Sequence, residues 1–134
     1  MTKFEKQLRQ WFPAGEYWGT PVYTGKTMLS RLDDNLLVKV SFIHTKIAQH
    51  YDALRVKIMN RTEGEIDSQV FRFEDVIGKL RMRSGDFIEP YVWDYNGEVE
   101  WYGGNPTVAQ HALISNEVQG YVQMYQSQDQ GMLL

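Results

Sequence analysis

The feature that most constrains this chain is a pair of alternating segments near its middle. Leu36, Val38, Val40 and Phe42 are interleaved with Leu37, Lys39 and Ser41, and Leu54, Val56 and Ile58 with Arg55, Lys57 and Met59. A two-residue period sends successive side chains to opposite faces of an extended chain, so both segments read as strands with one buried face. A return around Gly64, in residues 60–65, predicts that residues 69–73 pair back on the second strand.

A sheet with one dry face needs a cover, and both ends of the chain supply one. In residues 3–12, Phe4, Leu8, Trp11 and Phe12 fall at helical spacing with Lys3, Lys6 and Arg9 largely on the other side, and Pro13 and Gly15 stop the helix. Near the C-terminus, Ile114, Val118, Tyr121 and Tyr125 follow one another at four, three and four residues, flanked by Leu113 and Val122. Asn105 reads as the N-cap of this helix and Pro106 as its first residue. Gly120 weakens it by about 1 kcal/mol relative to Ala. The stripe ends near Gln126, and the polar, aperiodic residues 127–134 are expected to form a flexible tail.

Between these covers, residues 13–35 mix glycine and proline with Tyr17, Trp18, Val22 and Tyr23, which suits loops and short edge strands closed by a turn at Asp33-Asp34-Asn35. Residues 75–78 suggest one helical turn, Leu80 to Arg83 a short strand, and Ser84-Gly85-Asp86 another turn. The predicted architecture is α+β: an N-terminal helix, an antiparallel meander of about five to seven strands, and a long C-terminal helix packed on one face of the sheet. Residues 1–126 form one domain on this reading.

The segment 91–102 has a strong hairpin signal in Asn96-Gly97 between apolar runs. A two-residue loop would set Trp93 against Glu100 and mix polar and apolar residues on both faces. A three-residue loop, Tyr95-Asn96-Gly97 with Gly97 left-handed, sets Trp93 against Val99 and Tyr91 against Trp101, and gathers Asp94, Glu98 and Glu100 on the other face. The second register is expected, because one residue of slip moves the whole apolar set.

Composition narrows the chemistry. There is no cysteine, which removes disulfides, thiolate nucleophiles and cysteine-ligated metal centres. No apolar run is long enough for a membrane span and the start lacks the apolar stretch of a signal peptide, so a cytoplasmic protein without membrane partners is expected. Charge is divided unevenly. Residues 1–83 hold all 14 Lys and Arg with ten of the 17 acids, a net +4, whereas residues 84–134 hold seven acids and no Lys or Arg. That asymmetry reads either as pairing between the halves or as an acidic face for a basic partner.

Three motifs invite a catalytic or nucleic-acid reading, and each has a plainer one. Gly25-Lys26-Thr27 resembles the end of a phosphate-binding loop, but Gly19 precedes Gly25 at the wrong spacing and a turn follows too soon for the required helix, so a turn glycine beside a solvated lysine is expected. His44, His50 and Asp52 could bind a metal or move protons, yet their spacing matches no such site, and His44 continues the strand phase as a half-buried structural residue. His111 stands alone on the last helix. Arg55, Lys57, Arg61, Arg72, Lys79, Arg81 and Arg83 beside Phe71 and Phe73 resemble a single-strand nucleic-acid surface, though intervening acids leave residues 55–83 only slightly basic.

The 18 aromatic residues carry the leading expectation. Tyr91, Trp93, Trp101, Tyr102 and Trp18 lie in loops or near turns, where Tyr and Trp often meet a partner. The chain therefore reads as a non-catalytic binding or assembly module that uses an aromatic sheet surface and an acidic C-terminal half to hold a protein partner or a second copy, with no cofactor or metal. A second reading places a small apolar ligand, or an acid/base active site, between the sheet and the C-terminal helix. A third assigns the basic strands to single-stranded nucleic acid.

Overall fold

The computed structural model describes residues 2–95 and 98–132. Helix α1 spans Lys3–Trp11, β1 Val22–Thr24, β2 Thr27–Arg31, β3 Leu36–Ile43, β4 His50–Tyr51, β5 Ala53–Asn60, β6 Gly64–Arg72 and α2 Phe73–Ile77. The chain continues through β7 (Leu80–Arg81), β8 (Phe87–Ile88), β9 (Val92–Tyr95) and β10 (Glu98–Trp101) to the long helix α3 (Val108–Met132). The architecture is α+β, with a five-stranded antiparallel sheet in the order β1-β2-β3-β5-β6, a three-stranded sheet β10-β9-β4 and the two-stranded pair β7-β8.

Both alternating segments are strands, and they pair with each other along their whole length, Val38 opposite Ile58, Val40 opposite Val56 and Phe42 opposite Leu54. All six side chains are buried. The alternation thus did what a period of two requires: one face of the sheet is dry and the other is wet. Onto the dry face α1 lays Phe4, Leu8 and Trp11. Its start is fixed by a reciprocal cap in which the Glu5 N–H donates to Thr2 Oγ1 (3.1 Å) and the Thr2 N–H to Glu5 Oε2 (3.3 Å). The same Glu5 accepts the Gly25 N–H at 2.9 Å, which holds its carboxyl below the usual range and ties the helix to the β1–β2 turn. Gly25 has φ +60°, a conformation that favours glycine, and Lys26 beside it folds back over the Tyr51 ring at 4.8 Å. The Gly-Lys-Thr segment is therefore a hairpin turn, and its lysine sits on an aromatic face rather than in solvent.

Helix α3 closes the dry side with Ile114, Val118, Tyr121 and Val122 buried, while Leu113 is exposed. Its start differs from the expected one. The cap is Thr107, not Asn105: the Gln110 N–H donates to Thr107 Oγ1 (3.2 Å) and the Thr107 N–H to Gln110 Oε1 (2.8 Å). A Thr followed three residues later by Gln satisfies two otherwise unpaired backbone donors, where Asn105 with Pro106 offers only one side chain. Thr107→Ala is expected to lower stability by about 1 kcal/mol, measured by chemical denaturation, and an unchanged midpoint would show that the cap adds nothing. At the other end, the helical backbone continues to Met132, beyond the last residue of the apolar stripe. Propagation of a formed helix adds a hydrogen bond per residue and needs no apolar face. Among the described residues no helix is long and apolar enough to cross a membrane.

The hairpin adopts the register the sequence argument had set aside. Tyr95 pairs with Glu98, Asp94 with Val99, Trp93 with Glu100 and Val92 with Trp101, which is the two-residue loop. The turn residues Asn96 and Gly97, and with them the expected left-handed Gly97, lie outside the described residues. The reason for the register is tertiary. Val92 is fully buried and Trp101 packs inward on Trp11 and Phe73, so the hairpin spends one aromatic on the core and sends the others outward. Both faces of this hairpin carry aromatic rings, so grouping them all on one face is not what the fold requires.

Candidate functional site

The small sheet β10-β9-β4 is the part of the fold with two aromatic faces. Cross-strand partners share a face. The pairs Val92–Trp101 and Tyr51–Val92 point inward, where Tyr51 meets the Phe4 ring at 5.3 Å. The pairs His50–Trp93 and Trp93–Glu100 point outward. One residue beyond β10, the Tyr102 N–H donates to the Tyr91 carbonyl at 3.0 Å, which extends the pairing and brings these two tyrosines to the outer face as well. Gly103 follows with φ +86°, and a Cβ there would overlap the Ile88 side chain, so the chain can leave the face beside β8 only at a glycine.

On that outer face His50, Tyr91 and Tyr102 form a column of near-parallel rings. His50 and Tyr91 stack at 4.1 Å with 6° between planes, and Tyr91 and Tyr102 at 4.8 Å with 12°. Trp93 stands edge-on to this column, 4.2 Å from His50 and 5.9 Å from Tyr91. Tyr102 is exposed and the other three are half-buried. Burial and the neighbouring Tyr102 hold the Tyr91 phenol above its ordinary pKa, so it is a neutral ring at physiological pH.

Behind His50 and Tyr91 lies a recess of about 120 Å³ lined by Lys46, Ile47, His50, Asp52, Ile88, Glu89, Pro90 and Tyr91. Its apolar rim includes the exposed Ile47. Its charged lining, Lys46, Asp52 and Glu89, joins a network around Arg72, whose Nη2 lies 3.8 Å from Asp52, 3.9 Å from Glu74 and 3.7 Å from Glu89. Lys46 closes on Glu89 at 2.6 Å, and that bond, followed by a hydrogen bond with Glu74 and smaller coulombic help from Lys46 and Arg72, holds the Glu89 carboxyl below its usual range. Asp52 is buried and accepts the backbone N–H of Thr45 at 2.8 Å as well as its hydroxyl, an arrangement that shapes the β3–β4 connection.

Of the residues named from sequence, the structure brings Tyr91, Trp93 and Tyr102 together, and it separates Trp101 and Trp18 from them. Trp101 faces the interior between Trp11, Phe73 and His111. Trp18 is fully enclosed against Phe12, with its carbonyl accepting from Ser30. Of the histidine–carboxylate group, His50 and Asp52 both line the recess and His44 does not. His44 is exposed rather than half-buried, because β3 ends at Ile43 and the chain turns away before the strand phase reaches it. Among the described residues no group of three His, Asp or Glu is placed to hold a metal ion. His111 sits between Trp11 and Trp101, and burial lowers its pKa.

The packing bears differently on the other two readings. Phe71 and Phe73, the aromatics of the basic segment, are buried and cannot stack on bases. The rings of Phe4, Trp11, Phe42, Phe73 and Trp101 touch in succession in the core, and between β6 and α3 runs an open groove of about 410 Å³ whose lining includes Phe71, Leu113 and Tyr121. The residue that sequence reasoning missed on the outer face is His50. Its strand is two residues long and pairs with β9, far along the chain, so no local periodicity marks it. No protein-family model, no curated protein and no solved structure matches this chain.

Proposed function

We propose that this chain is a non-catalytic binding or assembly module, cytoplasmic as its composition suggests, which holds a protein partner or a second copy on the outer face formed by His50, Tyr91, Trp93 and Tyr102. The observation that carries this reading is the ring column itself. The large aromatics of α1, α2 and β3 are packed into the core, whereas these four gather on the outer side of the small sheet, three of them stacked with Trp93 edge-on to them and Tyr102 exposed. Rigid aromatic rings backed by a sheet offer large contact area at low conformational cost, which is why Tyr and Trp dominate the energetics of protein interfaces. The nearby titratable groups serve the scaffold: Asp52 is bound by Thr45, and Arg72 bridges carboxylates from three segments.

The test is photocrosslinking in cell extract with benzoylphenylalanine placed at position 102, compared with the same group at the exposed position 39 on the wet face of the large sheet. Discrete adducts, including any with a second copy, are expected at 102 and not at 39. Trp93→Ala should diminish them while leaving the melting temperature nearly unchanged. Equal labelling from both positions, or a Trp93→Ala protein that simply unfolds, would remove the aromatic face from the account of binding.

A further inference from the structure

Resting on that reading, we infer that the partner presents arginine or lysine side chains to this face, so that the module docks a basic protein segment. Ring columns of this kind can serve two chemistries, base stacking and cation recognition, and the surrounding charge separates them. Glu100 is exposed and lies directly across the strand pair from Trp93, on the same side. Glu89 stands at the recess one residue before Pro90 and two before Tyr91. The sequence from residue 84 onward has no Lys or Arg to offset them. Lys46, which lines the recess, is matched there by Asp52 and Glu89, and Arg72 lies 3.7–3.9 Å from Asp52, Glu74 and Glu89. A phosphate backbone crossing this face would meet carboxylates where nucleic-acid surfaces present Lys and Arg. A cation meets attraction from both the carboxylates and the ring faces.

The recess fits the same class of group. At about 120 Å³ it is well below the roughly 300 Å³ at which small-molecule pockets begin, but it suits the end of one long side chain. Ile47, Ile88 and Pro90 line it for an aliphatic stem, and an incoming cationic head would share Asp52 and Glu89 with the Thr45, Lys46 and Arg72 contacts they already make. The fold already uses this chemistry internally, with the Arg9 guanidinium 4.7 Å over the Tyr23 ring and Lys26 over Tyr51. Exposed cation–π contacts are individually weak, so several together, reinforced by carboxylates, are what would give a basic segment useful affinity.

The experiment is a titration of the full chain, followed by its backbone and indole N–H resonances, with three probes: a short peptide of alternating Arg and Gly, its citrulline counterpart, and a single-stranded oligonucleotide. The Arg peptide should shift the signals of Trp93, Tyr102 and Ile47, and the neutral citrulline peptide should bind about tenfold more weakly, since only charge is removed. Glu100→Lys, at an exposed position, should weaken the Arg peptide by about the same factor without altering the melting temperature. Equal binding of the two peptides, or occupation of this face by the oligonucleotide, overturns the proposal. So does a failure of both peptides to bind while the crosslinker at position 102 still captures a protein, an outcome that leaves the binding face standing and removes its basic partner. Failure of both experiments removes the face as well.

Discussion

Val118→Asp should destabilise the protein by about 4 kcal/mol, a large part of the 5–15 kcal/mol that holds a domain of this size together. Val118 has no exposed surface and lies at the centre of the α3 stripe, with Ile114 one turn before it and Tyr121 and Val122 one turn after. A carboxylate there has no partner and must either stay charged in an apolar contact or take up a proton at a cost that grows with pH. Chemical denaturation near neutral pH reads the loss directly, and the variant should recover part of it as the pH falls toward the carboxylate range. Glu117→Ala, one residue away and exposed, should be nearly silent. A Val118→Asp protein that melts like the parent would show that α3 is not seated on the sheet.

Trp11→Ala should cost about 3 to 5 kcal/mol. The Trp11 ring lies within 6.5 Å of Phe12, Phe42, Phe73, Trp101 and His111, and so joins α1, β3, α2, β10 and α3 in a single contact set. Its carbonyl also accepts the Ser115 hydroxyl at 2.7 Å, a second tie between the two helices. Truncation to Ala leaves a cavity that five elements cannot close without separating from one another. Loss of the near-ultraviolet aromatic signal should accompany the lower midpoint. An effect below 1 kcal/mol would mean that the ring fills space without organising it.

These residues also show how much of the molecule was legible beforehand. Phe4, Leu8 and Trp11, the alternating strands, and the stripe of Ile114, Val118 and Tyr121 were visible as core positions, because a helix or strand with one buried face writes its period into neighbouring residues. The Thr107 cap was also written locally, in the Thr and Gln three residues apart, and was obscured by the stronger appearance of Asn105-Pro106. The candidate face was half legible. Tyr91, Trp93 and Tyr102 could be named from their type and their place near a turn, whereas Trp18 is buried and the half-buried Trp101 packs against the core.

What the sequence determined by itself is therefore the first helix, the long central strands and the last helix, with the side of each that faces the core, since both depend on interactions between residues a few positions apart. Only the tertiary structure decided which aromatics stay outside. The hairpin could satisfy its own backbone in either register, and the choice went to the one that sends Trp101 against Trp11 and Phe73 and leaves Trp93 opposite Glu100. His50 reaches Tyr91 because β4 finds β9 across a long stretch of chain. Contacts of that kind leave no period in the sequence, because their partners are set by how the finished layers meet and not by the spacing of neighbours along the chain.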